Sequence, residues 1–314
     1  MNRLCLVSGA GINLSLAMEC PEAKQLGEFT YQHVSQQVYD IVSPELRQMF
    51  SPGSFDYILG GLMTINLVIE KTKTNLRRFE IDEDAFSRLF QQSGLQQAIV
   101  DALAKIEDKL TVELEQMIDV LKVLNPAMCH LQEKFQSIHY FTVNFDGLFD
   151  HIIYGPKFAR IRDVTDFWNS KGFTREHADR QFLIYHLHGD LRYKPNKKTK
   201  HNDPPYRWPV LVVGDGDFKR GIIAGNESLS FFNKQMQTQF STRAPDAHRQ
   251  TLAVIGFGCR EEDKHVVSRL TTALENKVFD RILVYDVEDR LTAYPHEFVD
   301  ARKVKLSEFL TSLN

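Results

Sequence analysis

Short apolar runs, each broken at its C-terminal side by glycine or a polar residue, constrain the fold of this 314-residue chain more than any other feature. The clearest occupy residues 3–8, 138–143, 182–187, 251–255 and 281–285, and lead into Gly9, Asn144, His188, Gly256 and Asp286. Continuous apolar runs of about four to eight residues suit strands buried on both faces, and such burial is the habit of parallel sheets. A sixth run, 208–213, reads as a further strand with Pro209 at its start, where a missing donor is tolerable. Helical periodicity falls between the runs, notably over 227–240 and 261–274. This alternation of strand and helix predicts a doubly wound α/β fold, in which the polar strand ends gather along one edge of the sheet.

One interval is too long for an ordinary crossover. From Pro44 to about Phe135 the pattern is helical, with Phe86, Leu89, Phe90, Ile99, Leu103, Ile106 and Leu110 at three- and four-residue spacings. Leu114, Met117, Ile118, Leu121 and Leu124 continue it to Asn125-Pro126, which is expected to end the helix. Residues 44–135 therefore read as a helical insertion, and 1–43 with 136–314 as the core. The fold class expected is α/β: a doubly wound, mainly parallel Rossmann-like sheet with a helical insertion module. The apolar stripes of the insertion suit a core, and alternatively an oligomer or partner surface.

Composition excludes several other classes. With 43% hydrophobic residues, 25% charged and a net charge of -3, nothing draws the chain as a whole toward nucleic acid or anionic membranes. Cys5, Cys20, Cys129 and Cys259 form no CxxC pair, which fits a reducing cytoplasm. The opening run Leu4-Cys5-Leu6-Val7 is too short for a signal peptide. No apolar stretch approaches the roughly 20 residues of a membrane span. The Lys-rich loop from Tyr193 to Arg207 reads as a solvated excursion or as a mobile lid for a phosphate-bearing ligand.

The strand ends carry the chemistry. Ser8-Gly9-Ala10-Gly11 makes a strand, a glycine turn and then a helix, which can aim backbone N–H groups at a phosphate. Leu14 stands where a third glycine of GxGxxG would be. Asn144 and His188 follow two separate buried strands, so a parallel sheet brings both to one rim. A histidine can act as a general base near neutral pH, whereas an asparagine amide can fix a ribose hydroxyl or a water. Asp146 adds a carboxylate on the adjoining turn. His186 and His188, spaced i and i+2, are expected to share a strand face, but no third metal ligand is evident. Residues 261–265, Glu-Glu-Asp-Lys-His, read as a charged helix start or as part of a cofactor-gripping turn.

Gly9-Ala10-Gly11-Ile12, Thr142-Val143-Asn144-Phe145-Asp146, His188-Gly189 and Gly256-Phe257-Gly258 occur in the order of the sirtuin motifs. The chain resembles the bacterial sirtuin-like proteins of phage-defence systems that degrade NAD, over about residues 3–20 and 138–290. The resemblance implies that Gly9, Ala10 and Gly11 hold a pyrophosphate, that Asn144 and Asp146 contact the nicotinamide riboside, and that His188 is the catalytic base. Ser8 and Asn13 would join the cofactor contacts, and Gly256, Gly258 and Asp286 would line the adenosine side. No metal is expected, and NAD is the implied substrate.

The departures narrow the activity. Deacylating sirtuins carry G-I-P-D-F-R after the first turn, where this chain has Ile12-Asn13-Leu14-Ser15-Leu16-Ala17. They also carry a four-cysteine zinc module after the histidine, where this chain has the cysteine-free 193–207 loop. Water is then the expected acceptor, giving hydrolysis of NAD to nicotinamide and ADP-ribose, consistent with antiviral defence by NAD depletion. The alternative is a non-catalytic NAD or ADP-ribose sensor or scaffold; a deacylase or ADP-ribosyltransferase fits less well. A hydride-transferring dehydrogenase fits worse, because the glycine fingerprint is incomplete. Such a hydrolase is toxic to its own cell, so regulation by homo-oligomerisation or by a protein partner is expected, without membrane or direct nucleic-acid binding.

Overall fold

The computed structural model describes residues 2–19, 118–147, 149–150, 173–177, 180–190, 212, 216–259 and 263–313. Most of the proposed insertion, the 193–207 loop and the 208–213 run apart from Val212 lie outside the described residues, as does the side chain of Asn13. In chain order the elements are β1 (Asn2–Ser8), α1 (Gly11–Glu19), α2 (Ile118–Lys134), β2 (Ser137–Thr142), β3 (Phe173–His177), β4 (Arg180–His186) and α3 (Gly216–Gly225). They continue with α4 (Glu227–Ser241), β5 (Arg249–Ile255), α5 (Lys264–Glu275), β6 (Arg281–Asp286), β7 (Glu297–Asp300) and α6 (Leu306–Ser312).

The strands form one sheet in the order β3-β4-β2-β1-β5-β6-β7, with β3 antiparallel to β4 and every other pairing parallel. The chain winds outward from β1 through β2 to β4, returns to β5 beside β1, and winds outward again through β6 to β7. The order therefore reverses between β1 and β5, which is where open parallel sheets form their ligand crevice. This is the α/β, doubly wound, mainly parallel architecture expected from the apolar runs.

Helices cover both faces. On one side α4 contacts α3, α5 and β4, while on the other α6 contacts α1 and α2. Asn226 starts α4 by accepting a 3.0 Å hydrogen bond from the Leu229 amide, one of the donors a helix start leaves without an internal partner. Leu229, Phe232, Met236 and Phe240 then recur at helical spacing and are buried. Beneath them Phe141 and Tyr185, opposite each other on β2 and β4, stack with centroids 4.9 Å apart. On the other face Tyr285 packs on Phe309 of α6 at 4.7 Å.

One sequence expectation needs correction, and two strands carry no signal of their own. The helix expected to stop at Asn125-Pro126 runs on to Lys134, with Pro126 inside it and exposed. A proline in a helix interior costs about 3 kcal/mol. Leu124, Met128 and Leu131 are buried in the sheet's core, and at roughly 1.5–3 kcal/mol each they outweigh that cost. The stretch 118–134 thus shares the core of the sheet. Past 281–285, β7 follows as a further strand; its sequence Glu-Phe-Val-Asp is short and half exposed, so it carries no apolar signature. At the other edge, β3 adds an antiparallel strand that no apolar run announces.

Candidate functional site

The C-terminal ends of β1, β2, β4, β5 and β6 deliver Gly9 to Gly11, Asn144 to Asp146, Leu187 to Asp190, Gly256 to Gly258 and Asp286 to one edge. At the switch point the first and fourth of these groups touch. The Gly9 amide donates to Ile255 O at 3.2 Å and the Gly11 amide to Gly256 O at 3.0 Å. A side chain at Gly11 would meet Gly256 Cα at 2.7 Å, and one at Gly9 would meet Gly256 O at 2.8 Å. Gly256 itself has φ +54°, and a Cβ there would lie 2.4 Å from the Gly11 carbonyl carbon. Glycines are required here so that two turns can pack backbone on backbone. The Gly9 and Gly11 amides are thus engaged by the Ile255 and Gly256 carbonyls, and Ile12 N donates to Gly9 O at 3.1 Å, so an anion at this turn would be left the amides further along the first turn of α1.

Ser8 sits beneath this contact and is fully buried. Its hydroxyl is 2.6 Å from the Tyr140 hydroxyl and donates to Thr142 Oγ1 at 3.0 Å, so it braces β1 against β2. Asn144 closes the gap between strands from above. Its backbone amide donates to Thr142 Oγ1 at 3.1 Å, and its side-chain Nδ2 donates to Gly9 O at 3.3 Å. Asp146 stands half-buried on the same turn.

His188 lies two residues past β4 in a turn completed by Gly189, whose φ of 101° excludes most side chains. Val212 N donates to His188 O at 2.7 Å, and Asn233 Nδ2 donates to Leu187 O at 3.2 Å, fixing the turn against α4. The imidazole is buried and places Nε2 3.0 Å from His265 Nε2 and 3.8 Å from Asp263 Oδ1. Lys219 of α3 donates to the same Asp263 oxygen at 2.6 Å. Burial, followed by the charge of Lys219 and the neighbouring His265, holds His188 well below the ordinary histidine range, and burial brings His265 down to about 3. Both rings are therefore neutral at physiological pH, so one donates to the other.

His186 and His188 do not share a face, contrary to the i, i+2 expectation, because β4 ends at His186 and the chain turns before His188. His186 instead points to Asp150 Oδ2 at 2.8 Å and Asp190 Oδ2 at 3.6 Å, with Nδ1 3.2 Å from Asn144 O. One ligand atom from each of Asp150, His186 and Asp190 lies within 4.8 Å of the others, making this the set of described residues with metal-ligand spacing. On the far side, Gly258 O accepts from Arg290 at 2.8 Å, and Asp286 accepts from the Val287 amide at 2.6 Å. Burial raises Asp286 above the usual carboxylate range.

The edge thus joins Gly9, Gly11 and Gly256 directly, ties Asn144 to Gly9, and ties the Asn144 backbone to β4 through His186. Asn144 and His188 reach the same edge, but Asn144 turns to Gly9 and His188 to His265. Sequence reasoning missed Lys219, and it missed the roles of Asp150, His186 and Asp190. Asp263 and His265 were visible as part of a charged helix start or cofactor-gripping turn, but not as neighbours of His188.

Three neutral buried histidines set a pH dependence. His139 is lowered to about 3 by burial and then by the Arg3 charge, in line with His265, and His188 is lowered too. The folded values lie below the unfolded one, so the unfolded chain takes up protons first. Stability from these groups is complete above about pH 6.5 and falls as pH drops toward the folded values. The melting temperature is expected to fall between pH 6.5 and 5, above the main carboxylate range, and His139→Leu is expected to flatten that fall; an unchanged slope would contradict the assignment.

Compared with models of known protein families and with curated protein sequences, the chain matches none.

Proposed function

We propose that the chain cleaves the nicotinamide–ribose bond of NAD and transfers the ribosyl carbon to water. One observation carries this reading: the interlocked glycine turns at the reversal of strand order stand on the same sheet edge as Asn144 and a neutral His188. A dinucleotide laid across that reversal would have its phosphates near α1 and its nicotinamide ribose toward β2 and β4. The C1′–N bond breaks with its electron pair passing to the pyridinium ring, which leaves as neutral nicotinamide. Water adds to C1′, and His188 accepts the proton that water loses, giving ADP-ribose. A histidine held well below its ordinary range is unprotonated at physiological pH but weakly basic. That suits a step whose leaving group is already cationic and which depends more on positioning than on base strength.

A second reading is favoured by the burial of His188 and by its contact with His265: the chain binds NAD or ADP-ribose and does not turn it over. Chromatography of NAD after incubation with concentrated protein separates the two. Nicotinamide and ADP-ribose in equal amounts are expected from the hydrolase. NAD bound and recovered intact would support the binder, and nicotinamide without free ADP-ribose would indicate transfer to another acceptor.

A further inference from the structure

His186, Asp150 and Asp190 form a buried cluster in which both carboxylates are within 4.0 Å of one ring nitrogen, and none of the three side chains is more than 1% exposed. Hydrogen bonds hold the ring at both nitrogens. The Asn144 backbone carbonyl can only accept, so His186 Nδ1, 3.2 Å away, carries a hydrogen. Nε2 lies 2.8 Å from Asp150 Oδ2, within hydrogen-bond reach, and 3.6 Å from Asp190 Oδ2.

The cluster also spans the site. Asn144 and Asp150 follow β2, whereas Asp190 lies on the turn that carries His188. We propose that His186 is a positioning residue: a ring that holds the Asn144 backbone with one nitrogen and faces Asp150 with the other, locking the turn after β2 to the turn after β4. This deepens the reading of Asn144 and His188 as the reactive pair, and it rests on that reading for its functional half. The geometry assigns His186 no contact with substrate; it acts through Asn144.

Amide hydrogen exchange and kinetics on the full chain test the proposal. In His186→Gln, exchange across residues 143–147 is expected to rise on the order of tenfold while β1 and β5 amides are unchanged. In the same variant, kcat for nicotinamide release should fall by about 10²-fold with little change in KM, the size of loss a misplaced reacting group produces. Unchanged exchange at 143–147, or an equal rise throughout β1 and β5, would overturn it. If His186→Gln does not fold, Asp150→Ala, which removes the carboxylate facing Nε2, is read the same way. A wild-type melting temperature lowered by EDTA and restored by Mn²⁺ or Zn²⁺ would also overturn it, because a cation would then bridge the three groups. Wild-type protein that releases no nicotinamide, together with the local exchange rise in His186→Gln, would sink the hydrolase reading and leave the positioning role intact.

Discussion

Replacing His188 with alanine is expected to slow nicotinamide release from NAD by about 10²–10⁴-fold, the usual loss when a general base is removed. The fold should survive, since the Leu187 and His188 carbonyls that hold this turn to Asn233 and Val212 belong to the backbone. Asn144→Ala should cause a loss of comparable size for a different reason. Its amide links the turn after β2 to Gly9 at 3.3 Å and has hydrogen-bonding capacity left for a ribose hydroxyl or a water. Initial rates by chromatography at several NAD concentrations would show kcat falling in both variants. A His188→Ala protein that works at the wild-type rate would remove this ring from the reaction and shift attention to Asp146.

Gly256→Ala is expected to destabilise the protein by about 2–6 kcal/mol, combining a left-handed backbone that alanine adopts poorly with overpacking of a close contact. The added carbon would lie 2.4 Å from the Gly11 carbonyl carbon and 2.5 Å from Ile12 N, and both are backbone atoms that cannot swing aside. A domain whose whole stability is about 5–15 kcal/mol would lose much of it. The control is Gly221→Ala in α3, where nothing lies within 4 Å of the added carbon. There alanine should stabilise by roughly 0.5–1 kcal/mol, because it restricts the unfolded chain in a helix interior. Denaturant midpoints for the two variants, moving in opposite directions, would establish the contrast; a Gly256→Ala protein as stable as the parent would mean that the turns do not touch.

The apolar runs at 138–143 and 251–255 could be read as buried strands because every side chain in them meets the core, so hydrophobicity alone reports their surroundings. Gly9 and Gly256 could likewise be read as turns. That the two turns press against each other was not legible, because it depends on β5 returning beside β1, a pairing between residues more than two hundred positions apart. Pro126 misled because local preference was outweighed by Leu124, Met128 and Leu131 packing beneath the sheet. Among the site residues, Asn144 and His188 stood out by following strands. Lys219 and His265 lie at or near the starts of helices that pack beside His188, and nothing in their neighbours along the chain announces it. His186 was visible, but its purpose depends on Asp150, whose approach is set by the segment after β2.

The mutual fit of Gly9, Gly11 and Gly256 also bears on how this crevice can open. Two loops that fill each other's missing side-chain volume form a single stiff bearing, and neither can swing without dragging the other. Widening for a bulky guest must therefore come from the flanks, at the β4 turn on one side and the segment around Arg290 on the other. Transplanting this crevice into another sheet would require carrying all three glycines together.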